Sequence, residues 1–232
     1  MGNYIVTDLT RFQDPQIVCT AVIDLDTGKC LRPMPYLTSK TVEELNVLPG
    51  AILEGQMSLK DCVENPHVED VHCSGLKYVR AASSDEFKAI LERTSSASIA
   101  DGFGIRFAVG QKHIPAGQTA ACSIVTIRVE PDSIGICEDQ FTPGKARAQI
   151  VDQSGQSFNF LSITDLGFFD YARNHIGDGQ IEKAQEFISA QREVHMRVGV
   201  GRRYQFGNRD GYWLQVNGIY TFPDSLREIM AN

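Results

Sequence analysis

The residues best equipped for chemistry lie together near the end of the chain, in residues 194–222, VHMRVGVGRRYQFGNRDGYWLQVNGIYTF. Four arginines (Arg197, Arg202, Arg203, Arg209) and four aromatics (Tyr204, Phe206, Tyr212, Trp213) surround a Gly-rich turn between two strand-like runs. Guanidinium forks hold phosphates, and flat rings hold bases by stacking. Residues 196–213 set four arginines against one carboxylate, Asp210, inside a chain of net charge −7. A local reversal of sign steers an anionic ligand to one place. The expected phosphate contacts are Arg197, Arg202, Arg203 and Arg209, with stacking from Tyr204, Tyr212 or Trp213. Arg11 and Arg32, which leave strands beside turns, extend the same track. The competing structural reading pairs the arginines with the protein's own carboxylates and turns one of Tyr212 and Trp213 into the core.

Other constellations fail on context. Asp24-Leu-Asp26-Thr-Gly28 opens like a calcium loop, but Pro35 stands at the twelfth position, where a bidentate Glu is needed, so the segment reads as a hairpin turn. Cys62, His67, His72 and Cys73 offer four zinc-type ligands. His72 and Cys73 are adjacent, however, and adjacent strand residues point to opposite faces, so no metal is expected; the cysteines are assigned to the core and His67 to a polar loop. Gly199-Val-Gly201 is followed by neither a third glycine nor a helix and is not a dinucleotide fingerprint. No GxSxG, HExxH or GxxxxGK[ST] occurs. Nothing demands an enzyme, and no catalytic residue or cofactor is assigned.

The elements that must position these groups are mostly short strands. Tyr4–Thr10, Ile17–Asp24, Lys29–Met34, Ala51–Leu59, His72–Arg80 and Gly104–Val109 are rich in β-branched residues and bounded by Gly, Pro or Asp. A helix is predicted at Asp85–Thr94 from the capping box Ser83-Ser84-Asp85-Glu86, and a shorter one opens at Thr41 and ends by Pro49-Gly50. Strands resume at Ala121–Glu130, Ser133–Glu138, Ala146–Asp152 and Ser157–Ile163. Two helices, Asp165–Ile176 and Gln180–Arg192, precede the last two strands, and a terminal helical turn starts near Asp224. The Pro/Gly connector Lys112–Gly117 divides two similar strand inventories, each that of a small Greek-key barrel. The expected domains are 1–115 and 116–232, the second with a helical insertion at 165–192. A faint internal echo lays Ile23–Leu31 over Ile150–Phe158, both with a polar residue and Gly at the turn.

At 232 residues the chain can bury roughly 70–75% of its unfolded surface, which suffices for such cores without staples. Six cysteines are scattered without a CxxC, mostly in apolar runs, as in a reducing compartment. No apolar run approaches membrane-spanning length, and the N-terminus lacks the pattern of a secretory signal. Val6 stands where myristoylation wants Ser or Thr. The expectation is a cytoplasmic protein without a membrane partner. Net acidity argues against coating nucleic acid by bulk charge, so any such binding must work through a patch.

VTDLTRF, VIDLDTGKCLRP, PGAILE, NPHVEDV, SITDLGFFDY and VGVGRRY…GYWLQVNGIYTFPD occur in that order and span nearly the whole chain. Together they resemble the bacterial dual OB-containing domain family. The resemblance implies two tandem oligonucleotide/oligosaccharide-binding (OB) barrels and a nucleic-acid- or nucleotide-sensing role in prokaryotic defence or conflict systems, and it brings no catalytic residues. The resulting expectation is a mainly β, non-enzymatic module that binds single-stranded nucleic acid or a nucleotide. Two other readings stand beside it. One is an interaction module that docks a defence effector protein; the other is a nucleotide-processing enzyme in which Asp8, Asp165 or Asp210 converges with His67.

Overall fold

A computed structural model describes residues 1–61, 63–175 and 177–230. The chain divides into two units, Met1–Thr94 and Ser95–Asn232.

The first unit runs β1 (Gly2–Arg11), β2 (Ile17–Asp24), β3 (Cys30–Met34), β4 (Leu37–Thr38), α1 (Ser39–Glu44), β5 (Ala51–Leu59), β6 (Asp70–Ala81), α2 (Ser84–Arg93). β1 pairs with both β2 and β5, β2 with β3, β3 with β6 and β6 with β5. The sheet therefore closes on itself as a five-stranded ring, β1-β2-β3-β6-β5, in which only the β3–β6 contact is parallel. That order, with a helix between the third and fourth ring strands, is the Greek-key OB barrel. Ile5, Ile23 and Ile52 form a core cluster, and Phe87 and Ile90 of α2 pack against it. The start of α2 is the capping box read from the sequence, with Ser83 Oγ accepting from the Glu86 N–H and Glu86 accepting from the Ser83 N–H.

The second unit begins with β7 (Ser95–Ser96), α3 (Ile99–Phe103) and β8 (His113–Pro115). Then follow β9 (Ile124–Val129), β10 (Ile134–Glu138), β11 (Ala146–Val151), β12 (Ser157–Ile163), α4 (Leu166–Asn174) and α5 (Gln180–Ser189). β13 (Glu193–Val200), β14 (Tyr204–Phe206), β15 (Arg209–Phe222) and α6 (Leu226–Met230) complete it. β9 and β10 flank a single 3-10 turn at Pro131–Ser133, so together they act as one bent first strand. The β9 half pairs with β13 and the β10 half with β11, closing the ring through β12, β15 and β13; again only β12–β15 is parallel. The helices α4 and α5 fill the third-to-fourth crossover, where Ile181, Ala184 and Ile188 turn the apolar face of α5 into the core. Both units are thus OB barrels, and no described helix is long and apolar enough to cross a membrane.

Three sequence expectations change. The division falls between Thr94 and Ser95 rather than at Lys112–Gly117. The segment read as a linker instead contributes β8, which hydrogen-bonds to β15 inside the second unit. Gly104–Val109 is not a strand: Gly104, at φ +67, caps α3 in the left-handed region, and Phe107 then packs edge-on against Phe103 and Phe158 as a plug. The helix predicted to reach Ile176 ends by Asn174, and Ile176 itself lies outside the described residues.

The faint echo gains meaning from the topology. Ile23–Leu31 and Ile150–Phe158 each join the second ring strand to the third in their own barrel. In one, Asp24 Oδ1 accepts from the N–H groups of Asp26 and Thr27; in the other, Asp152 Oδ1 accepts from those of Ser154 and Gln156. Asp24 is thereby engaged as a turn residue, in keeping with the hairpin reading.

Candidate functional site

The second barrel carries a cleft of about 690 Å3 on the face made by β11, β12 and the two loops beside them. Its walls come from Lys112, the segment Cys137–Phe141, Arg147, Phe160 and Phe206. Three large exposed rings line it, Phe141 at 93%, Phe206 at 66% and Phe160 at 54%, and Tyr204, 63% exposed, lies two residues from Phe206 on the same short strand.

Each ring is held out by local structure. Phe141 tips the β10–β11 loop, whose base is closed by the Asp139 N–H donating to the Lys145 carbonyl at 2.7 Å. Phe160 is exposed because β12 is irregular. Its pairing with β11 slips between Ala148 and Ile150, and Phe160 adopts φ +56, a conformation costly for a bulky residue. Tyr204 and Phe206 form β14, a short ladder folded against β15. Trp213 braces that ladder: its Nε1–H donates to the Tyr204 carbonyl at 3.0 Å, and its ring meets Phe206 edge-on at 5.9 Å. On the other side the ring of His113 stacks on it at 5.0 Å. β8 comes close enough to deliver His113 and Lys112 because Gly211 has no side chain; a Cβ there would lie 2.1 Å from the Ile114 carbonyl oxygen.

The electrostatics are positive at the rim. Burial, then the charges of Arg147 and Arg209, hold Lys112 below the ordinary lysine value. Burial, then Arg209, likewise lowers His113. Cations that discourage one another in this way favour an anion among them. Lys112 Nζ makes long contacts of 3.4 and 3.5 Å to the Phe160 and Asn159 carbonyls, which keep it at the edge of the cleft. Arg147 is held in plane: Nε and Nη2 donate to Asp139 Oδ2 at 2.7 and 2.6 Å, and Nη1 donates to Ser162 Oγ. The other carboxylate oxygen of Asp139 accepts from the Phe141 N–H at 2.9 Å, so one buried acid ties the loop tip to the strand.

The expected site residues fall into three groups. Arg202, Arg209 and Tyr204 are exposed on or beside the β14–β15 hairpin. Arg203 is exposed too, but its fork grips Asp210 at 3.0 and 2.6 Å and lowers that carboxyl's pKa. Arg197 is corrected: it is 1% exposed, lies inside the barrel wall and donates from Nη1 to Thr126 Oγ1 at 2.7 Å, where no outside phosphate reaches it. Tyr212 is also corrected. It is buried, the inward partner in the Tyr212/Trp213 alternation, while Trp213 is a half-buried brace. In the first unit Arg32 is buried in an ion pair with Asp70, which removes it from any surface track, and Arg11 is half-buried at the end of β1.

Of the four zinc-type ligands Cys62 lies outside the described residues. Of the other three, His67 lies in the loop before β6, as expected, but is buried there; His72 and Cys73 are adjacent on β6, and Cys73 is half-buried rather than in the core. Sequence reasoning missed Lys112, Phe141, Arg147 and Phe160, and it counted Phe206 without placing it. A lone Phe in the polar loop EDQFTPGK was the readable signal for Phe141.

No family model matches the sequence, and no curated protein matches it. Among solved structures, a murine DNA-binding protein bound with double-stranded DNA is similar at a TM-score of 0.36 and 10% identity, over 94% of this chain and 95% of that one. A replication protein A heterotrimer bound to single-stranded DNA is similar at a TM-score of 0.36 and 11% identity, over 99% of this chain but 50% of that one. The barrel assignment rests on the strand pairing itself.

Proposed function

We propose that this protein binds single-stranded nucleic acid across the β11–β12 face of its second barrel. The observation that carries the reading is the coincidence, in one cleft of an acidic chain, of the exposed rings of Phe141, Phe160 and Phe206 with a cationic rim of Lys112 and Arg209, and of Tyr204 exposed on the same short strand as Phe206. Rings accept bases of any sequence, and the rim tracks a phosphate backbone. The loops β10–β11 and β14–β15 and the second and third ring strands are where an OB barrel takes an oligonucleotide. A wider setting in a prokaryotic defence system rests on the family resemblance alone.

The test is fluorescence anisotropy with labelled single-stranded DNA and RNA oligomers over a salt series. Binding that weakens steeply with salt, and a loss of about 1–3 kcal/mol for Tyr204→Ala with the fold intact, are expected. If the wild-type protein retains neither polymer at low salt, the reading falls and the interaction-module reading takes its place.

A further inference from the structure

The cleft contains a buried acid, which is an odd furnishing for a site that receives a polyanion. Asp139 lies at its base with both oxygens engaged, one by the Phe141 N–H and the other by Nε and Nη2 of Arg147. The charge of Arg147 is thereby balanced by a carboxylate in direct contact, and three of its five N–H groups point in plane at protein oxygens once Ser162 is counted. What Arg147 still offers is the flat face of its guanidinium, on a side chain 26% exposed. That face shares the cleft with the rings of Phe141, Phe160 and Phe206. Guanidinium planes and aromatic rings both stack on nucleobases. Lys112, by contrast, stands at the edge of the cleft with its Nζ on the Asn159 and Phe160 carbonyls, within reach of the charge of Arg209.

We infer that the cleft is a nucleobase slot, in which one base lies against the Arg147 guanidinium and the Phe160 ring while its phosphates remain outside on Lys112 and Arg209. This deepens the proposed function and rests on it for the polymer, though not for the base. Arg147 acts by shape and Asp139 positions it; a lysine, which keeps the charge and loses the plane, is no substitute.

Two measurements test this. The first compares Arg147→Lys, Arg147→Gln and Arg209→Gln by anisotropy across a salt series, with thermal unfolding as the check on folding. Both Arg147 variants are expected to weaken single-stranded DNA binding about 10-fold or more with the salt slope unchanged. Arg209→Gln should flatten the log–log slope by about 0.7. Wild-type affinity in Arg147→Lys, or a flattened slope in Arg147→Gln alone, overturns the inference. The second uses only the wild-type protein and so does not depend on a variant folding. The uncharged fluorescent nucleoside 2-aminopurine riboside is expected to be quenched on titration, and ribose 5-phosphate is expected not to displace it. Absence of quenching, or displacement by the sugar phosphate, overturns the slot. Quenching without oligonucleotide binding would sink the proposed polymer ligand and leave the base slot standing.

Discussion

Phe158 and Leu161 are three residues apart on β12, yet both are fully buried in the second barrel. On a regular strand, residues an odd number apart face opposite ways. The slip between Ala148 and Ile150 absorbs the difference, and the residue that bears it is Phe160, at φ +56 with its ring outside. Core packing on either side thus forces one aromatic out, as bulges commonly do beside functional sites.

Phe160→Gly and Phe160→Ala therefore separate strain from function. Both remove the ring and should weaken oligonucleotide binding by about 1–3 kcal/mol. Glycine should nevertheless be the more stable of the two by about 1 kcal/mol, the reverse of the usual strand order, because it alone accepts positive φ freely. Urea unfolding of the two variants decides it. Equal midpoints, or a more stable Ala, would show that the left-handed backbone is not what holds the ring out.

The arginines should divide by partner. Arg209→Gln, at the cleft rim, is expected to reduce the slope of log affinity against log salt by about 0.7, while Arg203→Gln, whose fork is turned to Asp210, should leave the slope near wild type. Arg197→Ala should act elsewhere, costing about 2–5 kcal/mol of stability by emptying a fully buried site. Chemical denaturation alongside the binding titrations distinguishes the three.

Gly211→Ala should cost about 1–3 kcal/mol, since its Cβ would meet the Ile114 carbonyl and the β8–β15 ladder must part. Because β8 carries His113 and follows Lys112, the same variant should also weaken binding. Thermal unfolding with and without oligonucleotide reads both effects.

Asp139 sets a pH dependence. Burial pushes its carboxyl up, but hydrogen bonds from the Phe141 N–H and from Arg147, with the Arg147 charge, outweigh that and hold it below the usual carboxylate range. A group with a depressed folded value stabilises the protein above its unfolded pKa and loses that contribution as pH falls through the folded one. Asp139→Asn should therefore be less stable than wild type at neutral pH, and the gap should close on acidification. Urea midpoints from neutral pH down through the carboxylate range test this; a constant gap would contradict it.

Much of the fold was legible. Ile17–Asp24, Ala51–Leu59 and Ser157–Ile163 run between the very bounds expected of them, because runs of strand-forming residues end where turn residues interrupt them. The connector was misread because Pro115 and Gly117 mark a turn equally well whether the turn separates domains or follows an edge strand. The site was legible only in its hairpin. Arg197 and Tyr212 could not be told from their exposed neighbours without knowing which face of β13 and β15 looks inward. Phe160 was hidden for the opposite reason: strict alternation puts it beside Phe158 in the core, and a bulge is a property of two strands read together.

The two rings close on very different schedules. The first has all its strands once Ala81 has been made, whereas the second joins its first strand, β9, to β13 and its third, β12, to β15, which ends at Phe222. At translation rates of about 5–20 residues per second, the interval between the two is on the order of ten to thirty seconds. In the later part of that time, once β12 is made and before β13 and β15 follow, β9, β10, β11 and β12 stand with unclosed margins, open to pairing with other chains. A polypeptide released by the ribosome before β15 is complete would keep those margins permanently, and would meet the chaperone and protease machinery as an aggregation hazard rather than as a weakened binder.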